Sequence, residues 1–165
     1  LFVNGKSYGR KAKQEGKDFR LVWDNVVYQP GTVKVVAYKD GKQWAEDEVT
    51  TTGKAQQIML TADRSTIESA DNVLAFVTIT VADASGRKVP GARMPLKVEV
   101  NGAGELVATD NGDPTSFTPF QSAQRESFNG LALAIVRGKK GADGKMQVTV
   151  TGEGLQSATI EIDVK

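Results

Sequence analysis

The sequence predicts an all-β chain folded as sheet-on-sheet sandwiches. Three observations carry that expectation. Apolar residues alternate with polar ones in most of the patterned runs, turn dipeptides rich in Gly and Asn punctuate the runs, and the runs recur about every ten residues. Alternation sends one set of side chains into a core and the other into water.

Taken in order, strands are expected at 1–3, 6–10, 19–24, 32–38 and 43–49. Leu1-Phe2-Val3 reads as the middle of a strand, so the first domain is expected to be small and N-terminally truncated. Asn4-Gly5 and Asp40-Gly41 are hairpin signals, because Asn and Gly accept the positive φ of tight turns. Thr50-Thr51-Thr52-Gly53-Lys54 is polar and unpatterned and marks a boundary between a domain at 1–53 and one at 54–165. A block of about 50 residues is marginal alone and leans on its neighbours. In the second block Ile58, Leu60 and Ala62 begin the alternation, and Val73, Ala75, Val77, Ile79 and Val81 extend it. Leu96, Val98 and Val100 follow, then Met146, Val148 and Val150, then Ala158, Ile160, Ile162 and Val164. Residues 131–136, Leu-Ala-Leu-Ala-Ile-Val, are apolar on both faces and suggest a central strand, although periodicity alone also allows a helix. Ser85-Gly86, Asn101-Gly102, Asp143-Gly144 and Thr151-Gly152 read as turns, and a short helix is expected near Gln121–Glu126.

Composition removes whole classes of function. The 165 residues hold 21 basic and 20 acidic side chains, with neither Cys nor His. Thiol catalysis, zinc thiolate sites and imidazole bases are therefore excluded. Residues 1–53 carry 9 basic and 7 acidic side chains, and 54–165 carry 12 and 13. Neither half has the basic excess of a nucleic-acid surface, so no nucleic acid is expected as a partner. No apolar run approaches the roughly 20 residues that span a bilayer, so no membrane partner is expected. Zero Cys suits a cytoplasm or a bacterial envelope equally.

Few constellations remain that do chemistry. A glycosidase needs two carboxyl groups flanking one bond. The only acidic cluster, Glu46-Asp47-Glu48, alternates across a strand and reads as a charged, solvated edge. Asn101-Gly-Ala-Gly-Glu105 holds a GxG between two strands, where no helix N-terminus is available for a phosphate. Arg137-Gly-Lys-Lys140 reads as a solvated hairpin loop. The long segment Asp110-Asn-Gly-Asp-Pro-Thr-Ser-Phe-Thr-Pro-Phe120 is the most unusual. Asp110, Asn111 and Asp113 offer oxygen atoms of the kind calcium takes, without matching an EF-hand loop. The reading preferred here is that Asp113 accepts hydrogen bonds from loop N–H groups while Phe117 and Phe120 pin the loop to the sandwich; contact with sugar or a partner is the alternative. Among Trp23, Trp44, Tyr8, Tyr28 and Tyr38, which could stack on sugar rings, Trp23 reads as core and Trp44 as the better exposed candidate.

Two stretches resemble a known family. Leu1-Phe-Val-Asn-Gly-Lys-Ser-Tyr-Gly-Arg10, Arg20-Leu-Val-Trp-Asp24 and Tyr28-Gln-Pro-Gly-Thr-Val-Lys-Val-Val-Ala-Tyr38 resemble a small immunoglobulin-like domain that follows the catalytic barrel in bacterial β-galactosidases of glycoside hydrolase family 2. Leu60-Thr-Ala-Asp-Arg64, Asp110-Asn-Gly-Asp-Pro-Thr-Ser116 and Phe128-Asn-Gly-Leu-Ala-Leu-Ala-Ile-Val-Arg137 resemble that family's C-terminal immunoglobulin-like domain. The resemblance implies two immunoglobulin-like β-sandwich domains and a parent enzyme that is a retaining β-galactosidase. The family's Glu acid/base and Glu nucleophile, set on a TIM barrel, have no counterpart here, so this piece is expected to be non-catalytic and to brace the barrel or a subunit interface. The expected partner is the rest of the parent chain, with a glycan or a second copy as further options and with no cofactor or metal. A periplasmic, cell-surface or secreted bacterial location goes with this reading. Two alternatives stay open: a carbohydrate-binding module using Trp44, Phe117, Phe120 or Asp113, and an adhesion repeat, since residues 60–100 also resemble invasin-like immunoglobulin repeats.

Overall fold

The computed structural model describes residues 1–70 and 73–165, and among them every regular element is a strand. They form two compact units, Leu1–Thr51 and Thr52–Lys165. The helix expected near Gln121–Glu126 is absent: residues 124–126 extend as a strand. Ser122 Oγ accepts the Gln124 N–H at 3.1 Å and donates to the Gln124 carbonyl at 2.9 Å. That local bonding competes with a helical turn.

The first unit has one four-stranded sheet, ordered β2(Lys6–Ser7), β1(Phe2–Val3), β3(Thr32–Lys39), β4(Lys42–Thr50). Asn4 and Gly5, at φ 49° and 79°, close the first hairpin, and Asp40 and Gly41, at 51° and 75°, close the last. Asn4 also clamps the start of β3. Its Oδ1 accepts the Thr32 N–H at 2.7 Å and its Nδ2 donates to the Pro30 carbonyl at 3.0 Å. The expected strand at 19–24 does not form, and the expected strand at 6–10 shortens to two residues. Residues 8–31 instead run without a strand, and Leu21 and Trp23 line a cavity of about 740 Å³ with Phe2, Val36 and Tyr38. Trp23 is thus half-buried against β3 rather than a strand residue of a core. Val3 is the unit's fully buried apolar side chain, at 3% exposure.

The second unit is a two-sheet sandwich. One sheet runs β10(Gln124–Glu126), β8(Pro95–Gly102), β12(Gly144–Gly152), β13(Ala158–Val164), β6(Thr66–Ile67). The other runs β5(Gln57–Ala62), β7(Leu74–Ala82), β11(Leu131–Gly138), β9(Gly104–Asp110). All pairings are antiparallel except β13 with β6. The alternation now has its cause. Val77, Ile79 and Val81 from β7, Ala134 and Val136 from β11, Met146, Val148 and Val150 from β12, and Ile162 from β13 are wholly buried in one core. Each large aliphatic side chain so buried contributes about 1.5–3 kcal/mol.

The glycines of the GxG are structural. A Cβ on Gly102, whose φ is 80°, would lie 2.2 Å from the Lys145 carbonyl oxygen, and one on Gly104 would meet the Met146 side chain. The expected turn at Thr151-Gly152 shifts: Gly152 ends β12 against Leu96 and Leu155, and Gly154, at φ 71°, takes the positive-φ position.

Candidate functional site

The segment 111–123 carries the chain from β9, the edge of one sheet, to β10, the edge of the other. The residue that holds it is Arg125 on β10, only 3% exposed. Its strand neighbours Gln124 and Glu126 point to solvent, so period two sends Arg125 inward. Its Nη2 donates to the Thr109 carbonyl at 2.7 Å and the Pro119 carbonyl at 2.8 Å; its Nη1 donates to the Thr118 carbonyl at 3.0 Å. Its Nε donates to Thr109 Oγ1 at 3.1 Å, and Thr109 is itself fully buried on β9. One planar guanidinium thus stitches both sheet edges and the loop, a use of five fixed donors that lysine cannot copy. Among the described residues no carboxylate pairs with it; carbonyl and hydroxyl dipoles solvate its charge.

The acidic end of the loop is held separately. Asp113 accepts the Thr115 N–H at 2.9 Å and the Thr115 hydroxyl at 2.7 Å, as expected for a carboxylate that organises loop backbone. Arg93 adds a salt bridge at 2.8 Å and reaches Glu126 at 3.4 Å, while its guanidinium lies 5.0 Å from the Phe128 ring. The Thr115 hydrogen bonds, then Arg93, hold the Asp113 carboxyl below its usual range. Asp110 Oδ1 accepts the N–H groups of Asn111 and Gly112, and Asn111 Nδ2 donates to the Glu126 carbonyl at 2.9 Å. These oxygens are spent on the loop itself, and among the described residues no group of three acidic side chains is arranged to hold a metal ion.

Phe117 and Phe120 do not pin the loop. They are 98% and 60% exposed. Arginine does the pinning, and the rings are carried outward on an anchored backbone. Phe120's carbonyl accepts the Thr109 N–H at 2.6 Å, and the Arg125 guanidinium lies 6.0 Å from its ring. Beside this loop is a groove of about 510 Å³ where Arg125 forms part of the wall. The rest mixes polar side chains, Lys97, Thr118, Ser122, Gln124, Glu126 and Glu153 among them, with the apolar surface of Pro95 and Leu96.

The remaining sequence candidates sit elsewhere. Trp44 lies on β4 in the first unit, 72% exposed. Glu46, Asp47 and Glu48 are all exposed on that edge strand, with Glu46 paired to Lys34 at 2.8 Å. Arg137 lies on β11 and pairs with Glu105 at 2.7 Å, and Lys139 donates to the Gly102 carbonyl, so half of the Arg137–Lys140 run is structural. The structure brings Asp113, Phe117 and Phe120 onto one loop and leaves Trp44 in the other unit. Arg125 and Arg93 carry the site and were not singled out from sequence. The available signal was the alternation Gln124-Arg125-Glu126, which already puts Arg125 on the face opposite its neighbours.

Comparison with known proteins adds the family. Residues 58–161 match the glycoside hydrolase family 2 C-terminal domain 5, and residues 1–45 match a domain of unknown function, DUF4982. The chain is 39% identical over all 165 residues to the β-galactosidase BoGH2A of Bacteroides ovatus, of which it spans 19%. Among solved structures it is similar to a glycosyl hydrolase family 2 member from Bacteroides cellulosilyticus, with TM-score 0.93 and 30% identity over 99% of this chain and 21% of that one. It is also similar to a β-glycosidase from Bacteroides vulgatus, with TM-score 0.89 and 26% identity over 99% of this chain and 20% of that one. The chain therefore spans about a fifth of the length of the relatives it matches.

Proposed function

Because the chain belongs to glycoside hydrolase family 2, through that family's C-terminal domain 5, we propose that it is the non-catalytic, bracing end of a bacterial β-galactosidase. The parent hydrolyses β-galactosides with retention, using two carboxyl groups that lie outside these 165 residues. The observation that carries the bracing role is the bare sheet of the first unit. Val33 and Val35 on β3 and Val49 on β4 share one face and are 38%, 39% and 71% exposed. Val33 pairs directly with Val49, so part of this apolar surface is continuous. A sheet normally buries such a face, and its natural cover is the remaining four-fifths of the parent chain.

Two measurements test the reading. The purified 165-residue chain is expected to release no chromophore from an aryl β-galactoside at any pH; turnover that co-purifies with it refutes the non-catalytic assignment. In the parent enzyme, Val49→Lys is expected to lower the melting temperature, because a charge then enters a buried contact. An unchanged melt and unchanged activity refute the bracing role. A periplasmic or cell-surface location belongs to the same proposal, and finding the parent in the cytoplasmic fraction overturns it.

A further inference from the structure

We propose that the cavity of the first unit is a docking site for an acidic segment of the parent chain, which sets carboxylates against Arg10, Lys11 and Lys13 and an apolar side chain against Leu21, Trp23 and Tyr38. The inference rests on the glycosidase reading above and names the chemistry of what meets this unit at its cationic side.

The wall combines two chemistries. Phe2, Leu21, Trp23, Val36 and Tyr38 give an apolar lining to a space of about 740 Å³. The charged side chains at the same wall are Arg10, Lys11 and Lys13, all of them cations. Among the described residues none of the three makes a salt bridge, whereas Lys34, Arg64, Arg93, Lys97, Arg137 and Lys145 each make at least one. Two of the unpaired three are nonetheless held in place. The Arg10 guanidinium lies 5.2 Å from the centre of the Tyr38 ring. Lys11 Nζ lies 5.7 Å from the centre of the Trp23 ring and donates to the Val22 carbonyl. Cations fixed over aromatic faces without counter-ions give one sign of potential along an apolar wall, which attracts a carboxylate. The Trp23 indole N–H is enclosed in the protein and has no acceptor among the described residues, a rare state for a buried donor. The unmet groups here are all donors, so their complement is a negatively charged acceptor.

A free small anion is the weaker occupant. Arg10, Lys11 and Lys13 are exposed. Exposed ion pairs are individually weak and do not offset the freedom that a free ligand loses on binding. A segment covalently joined to this chain meets the wall at an effective concentration on the order of millimolar and loses far less. The relatives have ample chain to supply it, because the match spans 19% of BoGH2A and 21% of the Bacteroides cellulosilyticus protein.

Limited trypsin digestion of the parent enzyme tests the site with a control built into the sequence. Arg10, Lys11 and Lys13 line the cavity, while Lys17 and Arg20 are exposed on the same strandless segment and do not line it. Each cleavage rate is divided by that of the matching synthetic peptide. Cleavage after the three lining residues is then expected to be slower by roughly tenfold or more than after Lys17 and Arg20. High salt is expected to narrow the difference. Arg10→Glu with Lys13→Glu is expected to abolish the protection of Lys11, and Lys17→Glu with Arg20→Glu, the same change in charge, to leave it intact. Equal normalised rates at all five sites, or protection that survives the Arg10 and Lys13 reversal, overturns the proposal. So does an unprotected parent whose three sites become protected on adding sodium 2-naphthoate, which makes the cavity a small-anion site. Protection that rises with protein concentration overturns it as well, since the cover is then a second copy. The two readings fail separately. Equal rates, with a melt that Val49→Lys still lowers, sink only this docking site; a parent without β-galactosidase activity sinks the glycosidase reading, while the protection pattern still reports on the cavity.

Discussion

Replacing Arg125 by Met keeps most of the side-chain volume and removes every donor. The native guanidinium makes four bonds of 3.1 Å or less, to Thr109 carbonyl and Oγ1, Thr118 carbonyl and Pro119 carbonyl. The Thr118 and Pro119 carbonyls belong to exposed residues, where water replaces the lost donor. Thr109 is fully buried, so its carbonyl is left dry, and its hydroxyl keeps only the bond it donates to Ser122 at 2.7 Å. One to two stranded acceptors at about 1–3 kcal/mol each, less the desolvation that the charged side chain no longer suffers, predict a loss of about 2–4 kcal/mol. For a unit of this size that is roughly 8–16 °C in melting temperature. Urea titration of the native and Arg125→Met chains measures the first number and a thermal scan the second. Chymotrypsin reports the location, because cleavage after Phe117 and Phe120 should accelerate while the rest of the sandwich stays protected. A loss below about 1 kcal/mol, with the loop still resistant, would refute the idea that this guanidinium organises it. Arg125→Lys is expected to behave nearly as badly, since one ammonium cannot reach acceptors spread across two sheet edges and a loop.

Other perturbations probe the rest of the argument. Ile79→Ala empties a wholly buried position and should cost about 2–5 kcal/mol in urea unfolding. Gly102→Ala forces a side chain into φ 80° and against the Lys145 carbonyl, so calorimetry should show a loss exceeding the about 1–2 kcal/mol of the left-handed backbone alone. Asp83 is 4% exposed and accepts the N–H groups of Gly53, Arg87 and Ser85, and those bonds, Gly53 first, hold its carboxyl below the ordinary range. Its folded value lies below its unfolded one, so its stabilisation is complete above about pH 4 and is lost as pH falls further. Asp113 behaves in the same sense. Urea midpoints taken from pH 7 down to pH 3 should therefore hold level and then drop, and Asp83→Asn should flatten the acid limb.

How much of this was legible depended on whether a residue's role was set by its neighbours in sequence. Ala158–Val164 reads as a strand because four apolar side chains alternate with three polar ones, and the same reading located the core strands of the second unit. Asn4-Gly5 and Asp40-Gly41 read as turns because positive φ is a local demand. The 19–24 run failed for a different reason. Its apolar residues satisfy a strand pattern, but β1 is already flanked by β2 and β3, and Leu21 and Trp23 instead turn onto a sheet face. At the candidate site, Asp113's role was readable because its partner Thr115 is two residues away. Arg125 was not, because its partners Thr109 and Pro119 are brought together only when two sheet edges close on each other. Assigning the pinning to Phe117 and Phe120 followed burial statistics for aromatics, which say nothing of a loop already held by polar bonds.

The parallel pairing of β6 with β13 has a consequence for biosynthesis. Thr66 sits opposite Asp163 and Ile67 opposite Val164, and the Ser69 N–H donates to the Lys165 carbonyl at 2.7 Å. A segment translated early in the second unit therefore waits nearly a hundred residues for its neighbour. Until residue 164 has cleared the ribosome, Ile67 has no adjoining strand and Met146 and Val148 face an open flank, so the nascent unit is exposed to chaperones and proteases for almost its whole synthesis.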